Sequence, residues 1–140
     1  MAVRILIVDD HSVVRSGLKS LLRERAEWEV IAEAEDGLEA VDKAGTLNPD
    51  VVVLDVSMPR MNGLAACRLI RQSSPDCEVL IVTQHDSAQM MREALACGAR
   101  GYVVKANLAR DLFAAVEAVS QHRGFVAATR ETAGATSEVP

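Results

Sequence analysis

Residues 50–64 read DVVVLDVSMPRMNGL. Four branched apolar residues, Val51–Leu54, end abruptly on a carboxylate, Asp55, and a turn through Met58 and Pro59 leads on to Asn62 and Gly63. An apolar run of this length without polar alternation suits a parallel strand covered by helices on both faces. Working outward, similar runs stand at Val3–Val8, Trp28–Ala34, 79–82 and Gly101–Val104, so that one recurs roughly every 25 residues. The segments between them carry helical spacing, as in Val14, Leu18, Leu21 and in Leu108, Leu112, Val116, Val119. The pattern predicts an α/β fold of five repeated strand-helix units, with strand 2 at an edge because it carries Glu29 and Glu33.

Punctuation supports these boundaries. Asp36, Asn62 and Asp86 stand where helix N-caps are expected, Gly45 and Gly98 where helices should stop, and Pro49 and Pro75 shortly after helix ends. From residue 123 onward the periodicity is lost and Ala, Thr, Ser and Gly dominate, which predicts a linker or flexible tail over 123–140 after a folded unit over 1–122.

The 140 residues suit one domain, and 49% hydrophobic with 25% charged residues is the composition of a soluble globular chain. A net charge of -5 argues against nucleic-acid binding by this domain itself. Cys67, Cys77 and Cys97 form no CxxC pair, and His11, His85 and His122 are scattered, so neither disulfides nor a zinc site is expected. No apolar run reaches membrane-spanning length, and no signal region precedes the first strand. The expected location is the cytoplasm.

In an open parallel sheet, ligands bind outside the carboxyl ends of the strands. Strand 1 runs into Asp9 and Asp10, strand 3 into Asp55, strand 4 into Thr83 and strand 5 into Lys105. One Asp after a strand is an ordinary helix cap, but three carboxylates converging on one pocket repel one another and raise each other's pKa. Such a group calls for a cation, and oxygen-only ligands suit Mg2+. Asp55 can then act as a nucleophile toward phosphorus, with Thr83 and Lys105 as partners for phosphoryl oxygens.

The set Asp9-Asp10, Asp55, Thr83 and Lys105, in this order and on these strands, resembles the receiver domain of two-component response regulators. The stretches IVDDHSVVRSGL, DVVVLDVSMPRMNGL and CGARGYVVKA resemble the NarL/FixJ branch, whose receivers precede a LuxR-type helix-turn-helix. The resemblance spans roughly residues 3 to 121. It implies a CheY-like, flavodoxin-like doubly wound parallel sheet of order 2-1-3-4-5. It also implies Asp55 as phosphoacceptor for a sensor histidine kinase, Mg2+ held by Asp9, Asp10, Asp55 and the Ser57 backbone carbonyl, and Lys105 on the phosphoryl group. Thr83 and Tyr102 would be the switch pair, the ring turning inward as the hydroxyl moves.

Gln84 departs from the small or apolar residue expected after the switch threonine, which bears on access to Asp55 and on how long a phosphoryl group survives. Such domains usually signal through the helix over 87–96 with strand 5, and the sequence does not choose between that surface and the first and last helices as a homodimer face. Transcriptional output would require a DNA-binding domain, for which 140 residues leave no space; the chain is either an excised receiver or a stand-alone regulator. The competing readings are a phosphatase of haloacid-dehalogenase type, a flavodoxin-type flavin carrier and a phosphorylation-independent interaction module. The first wants a second Asp where Ser57 stands, and the second a phosphate loop where DDH stands. The third leaves an intact acceptor set without a role.

Overall fold

A computed structural model describes residues 2–58 and 60–126. The strands are β1 (Val3–Val8), β2 (Trp28–Ala34), β3 (Val51–Leu54), β4 (Glu78–Thr83), β5 (Gly101–Val104) and β6 (Phe125–Val126). The helices are α1 (Ser12–Leu22), α2 (Gly37–Leu47), α3 (Gly63–Ser73), α4 (Ala88–Ala96) and α5 (Leu108–Ser120), the last entered through a 3-10 turn over Lys105–Asn107. All strand pairings are parallel, in the order β2-β1-β3-β4-β5-β6.

The doubly wound sheet and its first five positions agree with the expected order, and β2 is an edge strand. The sheet has six strands instead of five. Phe125 and Val126, within the segment expected to be a linker, pair with Gly101 and Tyr102. Two residues carry no periodicity of their own, and the pairing is made by a distant strand. The rest of that segment, 127–140, lies outside the described residues, as does Pro59 of the expected turn.

The apolar runs are continuous because successive side chains enter different cores. Leu6, Val8, Val52, Leu54, Ile81 and Val104 face α2, α3 and α4, where they meet Ala40, Ala44, Ala66, Cys67, Ile70 and Ala94. Ile5, Ile7, Val51, Val53, Leu80 and Val103 face α1 and α5, where Leu18, Leu22, Leu112, Val116 and Val119 cover them. Each fully buried Leu or Ile contributes about 1.5–3 kcal/mol of transfer free energy, so both faces are strongly specified.

Helix ends follow local chemistry. Asp36 and Asn62 cap α2 and α3 by accepting from Glu39 and Ala65 N–H groups at 2.9 Å. The cap of α4 is Ser87, not Asp86 as expected; its hydroxyl takes the Met90 N–H at 3.2 Å. Gly45 does not stop α2, which runs on to Leu47 and ends on Asn48 in the left-handed region at φ 49°. Asparagine tolerates that conformation, so glycine is not required. Gly98, at φ +103°, does follow the end of α4.

Candidate functional site at the carboxyl ends of the strands

β1 and β3 are neighbours in a register that pairs Val8 with Leu54. The next residue on each strand, Asp9 and Asp55, therefore emerges side by side. Asp9 is 1% exposed and Asp55 5%. The parallel ladder carries past both strands: the Asp9 N–H reaches the Ala34 carbonyl at 3.1 Å and the Asp55 N–H the Val8 carbonyl at 3.0 Å. β4 and β5 pair Thr83 with Val104, which brings Lys105 to the same edge. Its Nζ donates to Asp9 Oδ2 at 2.8 Å and lies 3.6 Å from Asp55 Oδ2.

The other oxygen of Asp9 accepts the His11 N–H at 2.9 Å, a turn in which an Asp bonds its own backbone two residues on. Asp10 is exposed, and His11 Nδ1 lies 3.0 Å from its Oδ1 and 3.1 Å from Asp9 Oδ1. Asp9, Asp10 and His11 each offer a donor atom, all within 4.8 Å of one another. Arg15 Nη1 steadies this turn by donating to the Asp9 carbonyl at 2.6 Å.

Burial pushes the Asp55 carboxyl above its usual range; Lys105 opposes the rise and Asp9 adds to it. Desolvation of the buried carboxyl, not repulsion, is thus the leading cause, and the attraction of Lys105 outweighs the repulsion of Asp9. The mutual repulsion expected of three bare carboxylates omitted this counter-ion.

The loop beyond Asp55 is shaped by close backbone approach. A Cβ on Gly63 would stand 2.0 Å from the Asp55 carbonyl oxygen, and the Gly63 N–H donates to the Val56 carbonyl at 2.8 Å. A Cβ on Gly37 would meet the Met61 carbonyl at 2.2 Å. Only glycine allows either contact. Met58 and Met61 pack against the core. Arg60, at φ 65°, reaches across to Asp36, to which its Nε donates at 2.9 Å.

Thr83 is fully buried at the end of β4, and its Oγ1 accepts the His85 N–H at 3.3 Å. Tyr102 is also fully buried, its ring already inside and its hydroxyl donated to the His85 carbonyl. Burial raises that phenol to about 12. Ser57 is exposed, with its Oγ 3.3 Å from His85 Nε2, and Gln84 is exposed. Asp9, Asp10, Asp55, Ser57, Thr83 and Lys105 therefore lie at one edge of the sheet, while Tyr102 sits near the start of β5 and reaches that edge through its hydroxyl. His11, Arg15 and His85 join them without having been singled out. His11 had one signal, its place directly after the Asp pair; the other two had none.

Two buried carboxylates share one ammonium, and the exposed Asp10, beside His11, adds a further negative charge at the same edge. Asp9 and Asp10 offer oxygen donors, which suit a hard divalent cation such as Mg2+, but the group whose donors lie within 4.8 Å of one another is completed by His11, and Asp55 stands outside it at the end of the neighbouring strand.

Comparison with known proteins identifies the family. The response regulator receiver domain family matches residues 5–117, and the chain belongs to that family. It is 39% identical over 124 residues to the transcriptional regulatory protein DegU of Brevibacillus brevis, covering 89% of this chain and 52% of that protein. A two-component response regulator of the LuxR family from Aurantimonas superposes with a TM-score of 0.89 at 34% identity, over 100% of both chains. The signal receiver domain of NarL from Mycobacterium tuberculosis gives 0.83 at 30% identity, over 87% of this chain and 98% of that one. The chain is thus a signalling receiver of the NarL/LuxR type, as the motifs implied, and it spans about half the length of DegU. Among the described residues no helix is long and apolar enough to cross a membrane.

Proposed function

We propose that Asp55 accepts a phosphoryl group from a phosphohistidine on a sensor histidine kinase in the cytoplasm, and that the resulting change controls an output, transcription through a DNA-binding domain outside this chain. The observation that carries the reading is the buried Asp55 carboxylate 3.6 Å from Lys105, at the carboxyl edge of the sheet. In the transfer, an Asp55 oxygen bonds to phosphorus as the bond from phosphorus to the imidazole nitrogen breaks, and the imidazole departs. Lys105 swings from the carboxylates to the incoming phosphoryl oxygens, and the Thr83 hydroxyl donates to another. Asp9, Asp10, Asp55 and the Ser57 carbonyl would hold Mg2+, which supplies positive charge against the phosphoryl oxygens.

The inward Tyr102 recasts the expected switch. The ring need not travel; engagement of Thr83 would stabilise an arrangement the chain already adopts, a shift of population. Residues 1–122 act as the receiver and 123–140 lead to the output, with a second copy of this chain as a partner.

Incubation with acetyl phosphate and Mg2+, followed by intact-mass spectrometry, tests the reading. One added phosphoryl group is expected on the native chain, and none after Asp55→Asn or in chelator. Equal labelling of that variant would overturn the assignment.

A further inference from the structure

The opposite end of β4 holds a second charged cluster that phosphoryl chemistry does not use. Glu78, the first residue of β4, is 1% exposed. Three groups from three different segments converge on its carboxylate. Arg71 Nη1 from α3 lies 2.9 Å from Oε1, Arg100 Nε from the segment before β5 donates to Oε2 at 3.1 Å, and His122 Nδ1 from the end of α5 lies 2.7 Å from Oε2. Arg71 also donates to the Pro75 carbonyl at 3.0 Å and to that of Cys77, so Glu78 Oε1 faces its charge without an aligned hydrogen bond. Oε2 carries both aligned contacts, from Arg100 and from His122.

Those two residues are the ones that steer the chain away from α5. His122 stands at φ 62°, the left-handed conformation with which helices commonly end and which histidine tolerates, and it turns the chain out of α5. Its N–H closes the helix on the Val119 carbonyl at 2.9 Å, and the Arg123 N–H reaches the Ala118 carbonyl at 2.9 Å. Arg100 then supplies the carbonyl that accepts the Phe125 N–H at 3.2 Å, the first bond of β6. One carboxylate oxygen therefore grips both sides of the turn that lays β6 on β5. The register so imposed pairs Val126 with Tyr102 and Phe125 with Gly101.

We infer that Glu78 is a clamp: through Arg100 and His122 it fixes where the chain leaves the receiver and seats the start of the exit segment on the strand that carries Tyr102. A change at the Tyr102 end of β5 is then felt by β6 directly, across a strand pair, and passes into the chain beyond Val126. The second half of this inference rests on the proposed phosphorylation of Asp55; the clamp itself does not.

Amide exchange at Phe125, followed by NMR, tests both halves in the full chain. His122→Gly removes the imidazole and suits the positive φ, and Glu78→Gln removes the charge. Either change should speed Phe125 exchange about tenfold, the loss of roughly one net hydrogen bond, without altering acetyl-phosphate labelling. Unchanged Phe125 exchange in His122→Gly, which removes an exposed ring and leaves the fold intact, would overturn the clamp. In the native chain, phosphorylation verified by mass should shift Phe125 exchange, and His122→Gly should abolish the shift. A labelled native chain with no such shift would overturn the coupling alone, whereas absence of labelling would strike at Asp55 and leave the clamp standing on the first comparison.

Discussion

Lys105 Nζ lies 2.8 Å from Asp9 Oδ2 and 3.6 Å from Asp55 Oδ2, so a single ammonium serves two buried carboxylates. Removing it takes the shared ammonium from both. Lys105→Met should cost about 1–3 kcal/mol at pH 7, the penalty for a buried acceptor deprived of a charged partner. Without the opposing ammonium the Asp55 carboxyl is raised further. A carboxyl whose folded pKa exceeds its unfolded value binds more protons when folded, so the deficit is greatest at neutral pH and shrinks as pH falls through the folded value. Thermal melts of the native chain and the variant at pH 7 and pH 5 check this. An equal deficit at both pH values would mean that Lys105 acts by packing.

The same sign gives Asp55→Asn the opposite effect. Asp55 is held above its usual pKa mainly by burial, so its charged form opposes folding at pH 7. Asp55→Asn should raise the stability of the metal-free domain by about 1 kcal/mol, a few degrees in Tm for a domain of this size. Mg2+ should raise the native Tm and do little for the variant, since a ligand of the folded state stabilises only as far as it binds. A less stable metal-free variant would contradict this. Asp10→Asn, at an exposed group beside His11, should change metal-free stability by less than about 0.5 kcal/mol.

Gly63 carries the loop under Asp55, and an added methyl would meet the Asp55 carbonyl oxygen at 2.0 Å. Because the obstacle is backbone, it cannot turn aside. Gly63→Ala should destabilise by about 1–3 kcal/mol and slow phosphorylation together. Gly17, whose Cβ would meet nothing within 4 Å inside α1, is the control: Gly17→Ala should stabilise by about 0.5–1 kcal/mol. Denaturant melts with acetyl-phosphate labelling rates measure both. A Gly63→Ala protein that melts and labels normally would show that the loop readily moves.

Four of the first five strands were legible as runs of mostly buried apolar residues, β2 as a half-buried apolar run broken by Glu29 and Glu33, and the acid pocket because parallel strands deliver their carboxyl ends to one edge. What sequence reading missed depends on distant partners. β6 is a strand only because Arg100 and β5 receive it, and nothing in Phe125 and Val126 announces that. Glu78, read as lying before β4, is buried because Arg71, Arg100 and His122 arrive from three other segments. Lys105 was legible as a phosphoryl partner but not as the counter-ion that lowers repulsion between Asp9 and Asp55. Ser87 outcompeted Asp86 as the cap of α4, a choice between adjacent good caps that only backbone geometry makes.

The three cysteines are free and buried, and burial pushes the Cys67 and Cys77 thiols up to about 12. The thiolate is the reactive form. At pH 8 an aromatic disulfide reagent should therefore leave both unmodified in the native protein. Cys97, 9% exposed at the end of α4, is the one positioned to react. Unfolding in denaturant should release three thiols. Fast modification of Cys67 or Cys77 in native conditions would show that their cover opens.

The central claim is that Asp55 is the phosphoacceptor, and the most direct measurement locates the modification on the chain. After treatment with acetyl phosphate and Mg2+, borohydride reduces an aspartyl phosphate to an alcohol and releases the phosphate, which marks the residue permanently for tandem mass spectrometry. The account predicts the reduced mark at Asp55 alone. A mark at Asp9 or Asp10, or a labelled chain in which Asp55 is unmodified, would contradict it.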